Sequence, residues 1–284
     1  MREVELPDEL EGDYIQPDGL SFERIGKPIS VEPEHHFDLE FLPSQPLCVS
    51  HVHRVLFLAH SSGFYVARTK DVIGAAIGEK HSGSLRDLCL VDVNNLPVGF
   101  RVRILALSAD DSTLSVVSFS HQMLFYSVAS FLDQEKNPCF SCSLNENHVI
   151  KDLQWRKTEE NSFLVISNQR ELYYGAVGAP PKRVLENVDA VDWSPRGKYV
   201  AAARENNIEI YSSEFKNELS IHLRFESWLD DSSASNIVKV DCIKWVRGDS
   251  LVVGCFQQSE VDEEASYLIQ VITSVNGNIT DVLL

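Results

Sequence analysis

Apolar and polar positions alternate with a period of two in short bursts separated by turn residues, the pattern of strands packed on both sides rather than of helices. The clearest burst is VDAVDWSPRGKYVAAARENNIEIY, residues 188–211. Val191 and Trp193 lead into the turn Ser194-Pro195-Arg196-Gly197, Tyr199 to Ala203 follow as a small-residue strand, Asn206-Asn207 turns again, and Ile208 and Ile210 flank Glu209. This meander recurs four more times. The copies are LCVSHVHRVLFLAHSSGFYVART from Leu47, RVRILALSADDSTLSVVSFSHQMLFYSV from Arg101, VIKDLQWRKTEENSFLVISNQRELYYGAV from Val149 and KVDCIKWVRGDSLVVGCFQQSEVDEEASYLIQVIT from Lys239. Superposing their first strands puts Leu105, Leu153, Val191 and Ile243 in one column and Leu107, Trp155, Trp193 and Trp245 in the next.

A further alternating segment follows each copy, at 86–93, 139–144, 183–188, 219–225 and 279–284, and supplies a fourth, outer strand. Four strands repeating at roughly 40 to 50 residues is the period of a propeller blade. The pattern therefore predicts an all-β, WD-like β-propeller with five blades in this chain, at about 46–95, 97–145, 148–188, 189–226 and 238–284. Five blades of this degenerate WD type are expected to be part of a seven-bladed ring. Residues 1–45 read as an acidic arm in which Ile29 and Val31 offer a ring-closing strand. No apolar run approaches the roughly 20 residues of a membrane helix.

Composition narrows the function. A formal net charge of −17 argues against direct nucleic-acid contact, which needs clustered Lys and Arg. Cys48, Cys89, Cys139, Cys142, Cys242 and Cys255 fall in strand-like stretches and read as buried free thiols. Cys139 and Cys142 form a lone CxxC without a second pair, and His51, His53 and His60 read as strand histidines, so no metal site is expected. Phosphate-binding loops, nucleophile elbows and zinc-protease motifs are missing from the sequence, so neither catalysis, a cofactor nor a small-molecule substrate is expected. Trp155, Trp193 and Trp245 share the repeat column and read as packing residues, whereas Trp228 lies outside it beside Asp230 and Asp231 and reads as exposed.

Alternating strand direction puts the second-to-third hairpin of each blade and the connection to the next blade on one face. That face is expected to collect Asp92, Glu146, Glu186, Glu205, Asp230, Asp231, Glu260, Asp262, Glu263 and Glu264 and to be uniformly acidic. The opposite face receives Lys157, Arg196, Lys198, Lys216 and Arg247, mixed with Asp110, Asp111, Glu159, Glu160 and Glu214. Glu205, Asp230, Asp231, Glu260, Asp262, Glu263 and Glu264, with Trp228 as an aromatic anchor, are the candidate partner-binding residues.

The wording of AVDWSPRGKYVAAARENNIEIY, of the preceding VIKDLQW and of the following VDCIKWVRGDSLVVGCF, with its acidic insertion before the third strand, resembles the N-terminal β-propeller of the cytoplasmic-filament nucleoporin of the nuclear pore, the CAN family. RILALSADDSTLSVV and FERIGKPISV extend the likeness more weakly. The resemblance implies a seven-bladed, non-enzymatic domain of a longer protein at the cytoplasmic side of the nuclear envelope. It implies docking of the DEAD-box helicase of messenger-RNA export, next to other nucleoporins of the cytoplasmic filaments. That family's principal docking loops lie in late blades beyond the fifth, so its contact residues do not carry over. A generic WD-like interaction adaptor in another multiprotein complex fits the same repeats.

Overall fold

In a computed structural model, residues 26–31, 41–78, 84–97, 99–158, 161–223, 237–246, 250–258, 265–273 and 278–283 are described. They form a propeller-like series of five four-stranded antiparallel sheets, each built from strands consecutive in the chain. The first sheet is β1 (Leu47–Ser50), β2 (Val55–His60), β3 (Gly63–Arg68) and β4 (Cys89–Val93). The second is β5 (Val102–Leu107), β6 (Thr113–Ser118), β7 (Gln122–Ser127) and β8 (Phe140–Ser143). β9 (Ile150–Trp155), β10 (Ser162–Ser167), β11 (Leu172–Ala176) and β12 (Ala179–Leu185) make the third. The fourth comprises β13 (Ala190–Trp193), β14 (Tyr199–Arg204), β15 (Asn207–Ser212) and β16 (Asn217–His222). The fifth comprises β17 (Ile237–Trp245), β18 (Leu251–Gln258), β19 (Ala265–Thr273) and β20 (Asn278–Leu283).

Inner turns repeat one device. Ser194 N–H bonds to Tyr199 O, Gly197 N–H to Ser194 O, and the Ser194 hydroxyl oxygen accepts Lys198 N–H and Tyr199 N–H. In the second sheet Ser108 does the same with Asp111 and Thr113. The third turn position is left-handed in both, φ 62° at Gly197 and 58° at Asp111. At Gly197 a side chain is also blocked sterically, because a Cβ would stand 2.7 Å from Thr158 Cγ2.

Both faces of the interior sheets are buried, which is why their middle strands are apolar at consecutive positions rather than alternating. Phe57 and Phe64 meet Leu105, Leu114 and Val116 between the first and second sheets. Phe125, Trp155 and Phe163 fill the second junction, Leu164, Trp193 and Val200 the third, and Ala201, Ile208, Ile243 and Trp245 the fourth. Trp193 is fully buried, and Trp155 and Trp245 nearly so, as the repeat column predicts. Trp155 Nε1–H also reaches back to Ala106 O and Ser115 Oγ of the second sheet.

Three helical inserts escape the period-two reading. α1 (Thr69–Ile77) and α2 (Leu85–Leu88) interrupt the first sheet before β4, and α3 (Val128–Leu132) precedes β8. The expected outer strand from residue 86 instead starts at Cys89, because Asp87 Oδ2 accepts the Ser84 N–H and closes a helical turn. Phe131 of α3 is the wedge that justifies its insert, packing against Phe57, Phe64 and Tyr126. The third sheet's outer strand begins at Ala179, earlier than the expected 183, and carries Pro180 and Pro181. An edge strand tolerates them because its outward N–H groups have no ladder partner to lose. Segment 26–31 lies on the first sheet: Leu85 N–H bonds to Ser30 O, and Ile29 and Val31 pack beside Leu56, Tyr65 and Leu85. The described contacts of Ile29 and Val31, expected to offer a ring-closing strand, are with this first sheet, and the segment makes one isolated bridge, Ser30 to Ser84. Among the described residues all six cysteines are free, with Cys255 buried but Cys139 and Cys242 exposed against expectation.

One buried carboxylate ties three sheets. Asp192, fully buried on β13, accepts the Trp245 N–H of β17 at 2.8 Å and the Lys157 ammonium beyond β9 at 2.9 Å through one oxygen. Lys157 also donates to Trp193 O, so a residue expected to be a free surface charge is drawn inward. Removing one partner of a buried pair leaves the other uncompensated. Asp192→Ala is expected to lower the unfolding free energy in urea by about 3 kcal/mol or more, whereas a loss of under about 0.5 kcal/mol, the usual effect of a surface change, would contradict the clamp.

Candidate docking face

Antiparallel pairing within each sheet puts the second-to-third hairpin at the same end as the connection to the next sheet. Hydrogen bonds join each hairpin to the connections that flank its own sheet. Phe119 N–H bonds to Arg101 O and Leu144 N–H to His121 O; Asn168 N–H bonds to Val149 O, Val188 N–H to Arg170 O and Leu223 N–H to Asn206 O. The result is a belt of short, backbone-locked loops over the second to fourth sheets.

Charge on this belt is organised as a chain of ion pairs. Glu171, in the hairpin between β10 and β11, receives the Tyr173 hydroxyl at 2.6 Å, Arg183 Nη1 at 2.7 Å and the buried His148 Nε2 at 2.7 Å. Arg183 continues to Glu186 at 3.1 Å, whose backbone carbonyl accepts Arg204 Nε–H. Arg204 then pairs with Glu209 at 2.7 Å and with the Tyr211 hydroxyl. Arg170 pairs with Asp189 at 2.7 Å. The Tyr173 hydroxyl, with Arg183 and His148, holds the Glu171 carboxyl below the usual range, while burial and Glu171 together push Tyr173 up to about 12. Burial raises the Glu209 carboxyl, but Tyr211 and Arg204 outweigh it and leave it below the ordinary value.

The face is therefore not uniformly acidic among the described residues. Glu186 is partnered, and Arg170, Arg183 and Arg204 compensate Asp189, Glu171 and Glu209. Asp92 lies 3.3 Å from the buried His60. Glu146 and Glu205 are exposed and carry no ion pair. Glu205 sits in the β14–β15 turn with φ 55° and is exposed. Asp230, Asp231, Glu260, Asp262, Glu263, Glu264 and Trp228 lie outside the described residues. The strands flanking them, β16 and β17, and β18 and β19, end and begin at this same face.

Sequence reasoning missed the cross-junction pairs. Asn168-Gln169-Arg170-Glu171 is visibly a polar hairpin, but its partners Arg183, Asp189 and His148 come from other segments, and only the fold brings them together. Of the histidines expected on strands, only His60 lies in one, at the end of β2; His51 and His53 lie in the turn before it. Cys139 Sγ–H donates to Phe125 O, while Cys142 packs into the second junction and burial pushes its thiol up to about 11.

The profile of the NUP159/214 β-propeller matches residues 43–277. The chain belongs to the NUP159/214 β-propeller family. Within that family its backbone is similar to the crystal structure of the N-terminal domain of Nup159, with a TM-score of 0.59 at 11% identity over 86% of this chain. It is also similar to Nup159 as seen in a S. cerevisiae assembly of Dbp5, Nup159, Gle1, IP6 and ADP, with a TM-score of 0.58 at 13% identity over 87% of this chain. A third likeness, at 0.55 and 9% identity over 81% of this chain, is to Raptor of Chaetomium thermophilum, 20% of whose chain is covered. The NUP159/214-type chain described here spans 63% and 62% of the two Nup159 chains. No curated protein sequence matches it.

Glu171 gives the ion-pair belt a pH signature. Its folded value is depressed, so its pairing stabilises above the unfolded carboxylate value near 4.5 and is lost as pH falls through the lower folded value. Glu171→Gln is expected to unfold at lower urea than the parent at about pH 7, with the gap closing toward about pH 3. A gap that stays constant over that range contradicts a working Glu171 pair.

Proposed function

We propose that the chain is a non-enzymatic docking platform at the cytoplasmic side of the nuclear pore, where it recruits a DEAD-box RNA helicase of the Dbp5 kind for messenger-RNA export. The observation that carries this reading is the likeness to Nup159 in the assembly that also contains Dbp5, joined to membership of the NUP159/214 family. A seven-bladed ring is the architecture in which the five sheets would serve, and other nucleoporins of the cytoplasmic filaments are the proposed neighbours.

The proposed contact uses the face of second-to-third hairpins and inter-sheet connections. Glu205 with Asp230, Asp231, Glu260, Asp262, Glu263 and Glu264 supplies negative charge, and Trp228 supplies the anchor. The physical support is that Arg170, Arg183 and Arg204 of the belt are taken up by carboxylates of their own, while among the described residues Glu146 and Glu205 are left without an ion pair. A net charge of −17 steers a basic partner surface from a distance without contacting nucleic acid or membrane directly.

Binding of the isolated chain to the helicase across a salt series tests this. From about 0.05 to about 0.5 M salt the affinity is expected to fall about tenfold or more, as exposed ion pairs are screened. Simultaneous charge reversal of Asp230, Asp231, Asp262 and Glu263 to Lys is expected to weaken low-salt binding by at least about tenfold. Binding unchanged by both salt and reversal overturns the electrostatic mechanism. No helicase binding by a folded chain favours the generic adaptor.

A further inference from the structure

On the opposite face, the first sheet holds a cavity of about 540 Å³ that the docking reading does not use. Its apolar lining is Val49, Val55 and Ile73, with Leu132 of α3. Its rim is Arg54, Arg68 and Lys70, with His51 and His53 beside them, and among the described residues no carboxylate lines it. All three cations are exposed, and among the described residues none is engaged in an ion pair. In a chain carrying −17, such an uncompensated basic cluster is the exception. Asp111, the acidic group that touches this wall from the second sheet, is occupied by the Ser50 hydroxyl and the Val52 N–H.

The apolar part is equally anomalous. Ile73 and Leu132 of the lining are 47% and 43% exposed, and Ile77, 62% exposed, continues the stripe along α1. The size lies within the roughly 300 to 1,000 Å³ of pockets that hold organic ligands. The walls are built to last. Thr69 N–H bonds to Arg54 O, which fixes the turn 51–54 against the start of α1, and Arg54 holds φ 55° there. Thr69 Oγ1 is buried without a hydrogen-bond partner at the same place. Apolar lining, basic rim and an unused hydroxyl together select an occupant with an apolar side chain flanked by carboxylates. Nucleic acid would find no stacking aromatic in the lining, and a flat membrane surface would not fill a concave cavity.

We propose that this cavity is a second docking site, on the face away from the helicase platform, for an acidic peptide segment of a partner protein that inserts an apolar anchor side chain. One domain would then hold two partners at once on opposite faces. The carboxylates engage Arg54, Arg68 and Lys70 at the rim, and the anchor displaces water from Val55, Ile73 and Leu132.

A fluorescein-labelled ten-residue peptide with one leucine flanked by glutamates tests the site by polarisation. The comparison peptides replace the glutamates by glutamines or the leucine by alanine. Arg68→Glu combined with Lys70→Glu, and separately Leu132→Asp, are expected to weaken the parent peptide about tenfold each. Both variants should keep the parent's thermal unfolding midpoint and its helicase binding. Equal affinity for the glutamine peptide, unchanged binding by both folded variants, or no binding up to about 1 mM would overturn the proposal. So would concentration-dependent self-association abolished by Ile73→Asp, which would assign the cavity to a second copy of the chain.

Discussion

A sheet of four short strands has two apolar faces and is stable only between two neighbours. Every other feature of this chain answers to that requirement. It explains why Val200 to Ala203 are small and wholly buried, why the tryptophans of the repeat column point into junctions, and why inner turns are closed by serine hydroxyls rather than by long loops. Asp192 is the strongest expression of it. A carboxylate with no solvent exposure sits at the meeting of three sheets, held by the backbone of one and the ammonium of another. Such a group adds little net stability when whole but fixes the register in which sheets stack, since other arrangements strand a charge.

Once the strands are committed to one another, variation is left to the loops at the two ends. The hairpin and connection loops are tied by backbone hydrogen bonds and by a run of Arg–carboxylate pairs reaching from His148 to Glu209. Those pairs engage Arg170, Arg183 and Arg204 of the face. Rigid loops and surplus carboxylates are what a charge-steered docking platform needs, because little ordering entropy remains to be lost on binding. The other end differs in kind, with helical inserts, exposed aliphatics and unpaired cations around a cavity.

The sheets were legible because their information is local. A turn such as Ser194 to Gly197 and the alternation beside it announce a hairpin without reference to the rest of the chain. The outer strands were less so: the third was expected from residue 183 but starts at Ala179 and includes Pro180 and Pro181, which an edge strand tolerates. α1 and α3 answer to packing rather than periodicity, since what justifies α3 is one phenylalanine among three distant aromatic rings. The charge pattern was misread for a similar reason. Counting acidic residues per loop finds Glu186 and Glu205 alike, but only the folded chain brings Arg183 to one and leaves the other bare. Membership of the NUP159/214 family, by contrast, was written in the repeats themselves.

The central claim is that partner docking belongs to the face of hairpins and inter-sheet connections. Hydrogen exchange of the chain with and without a Dbp5-type helicase tests it most directly. The account predicts that protection on binding gathers at segments 168–171, 186–189, 205–206, 223–236 and 259–264. Protection confined to segments 51–54, 69–77 and 128–132 would place the helicase on the opposite face and contradict it.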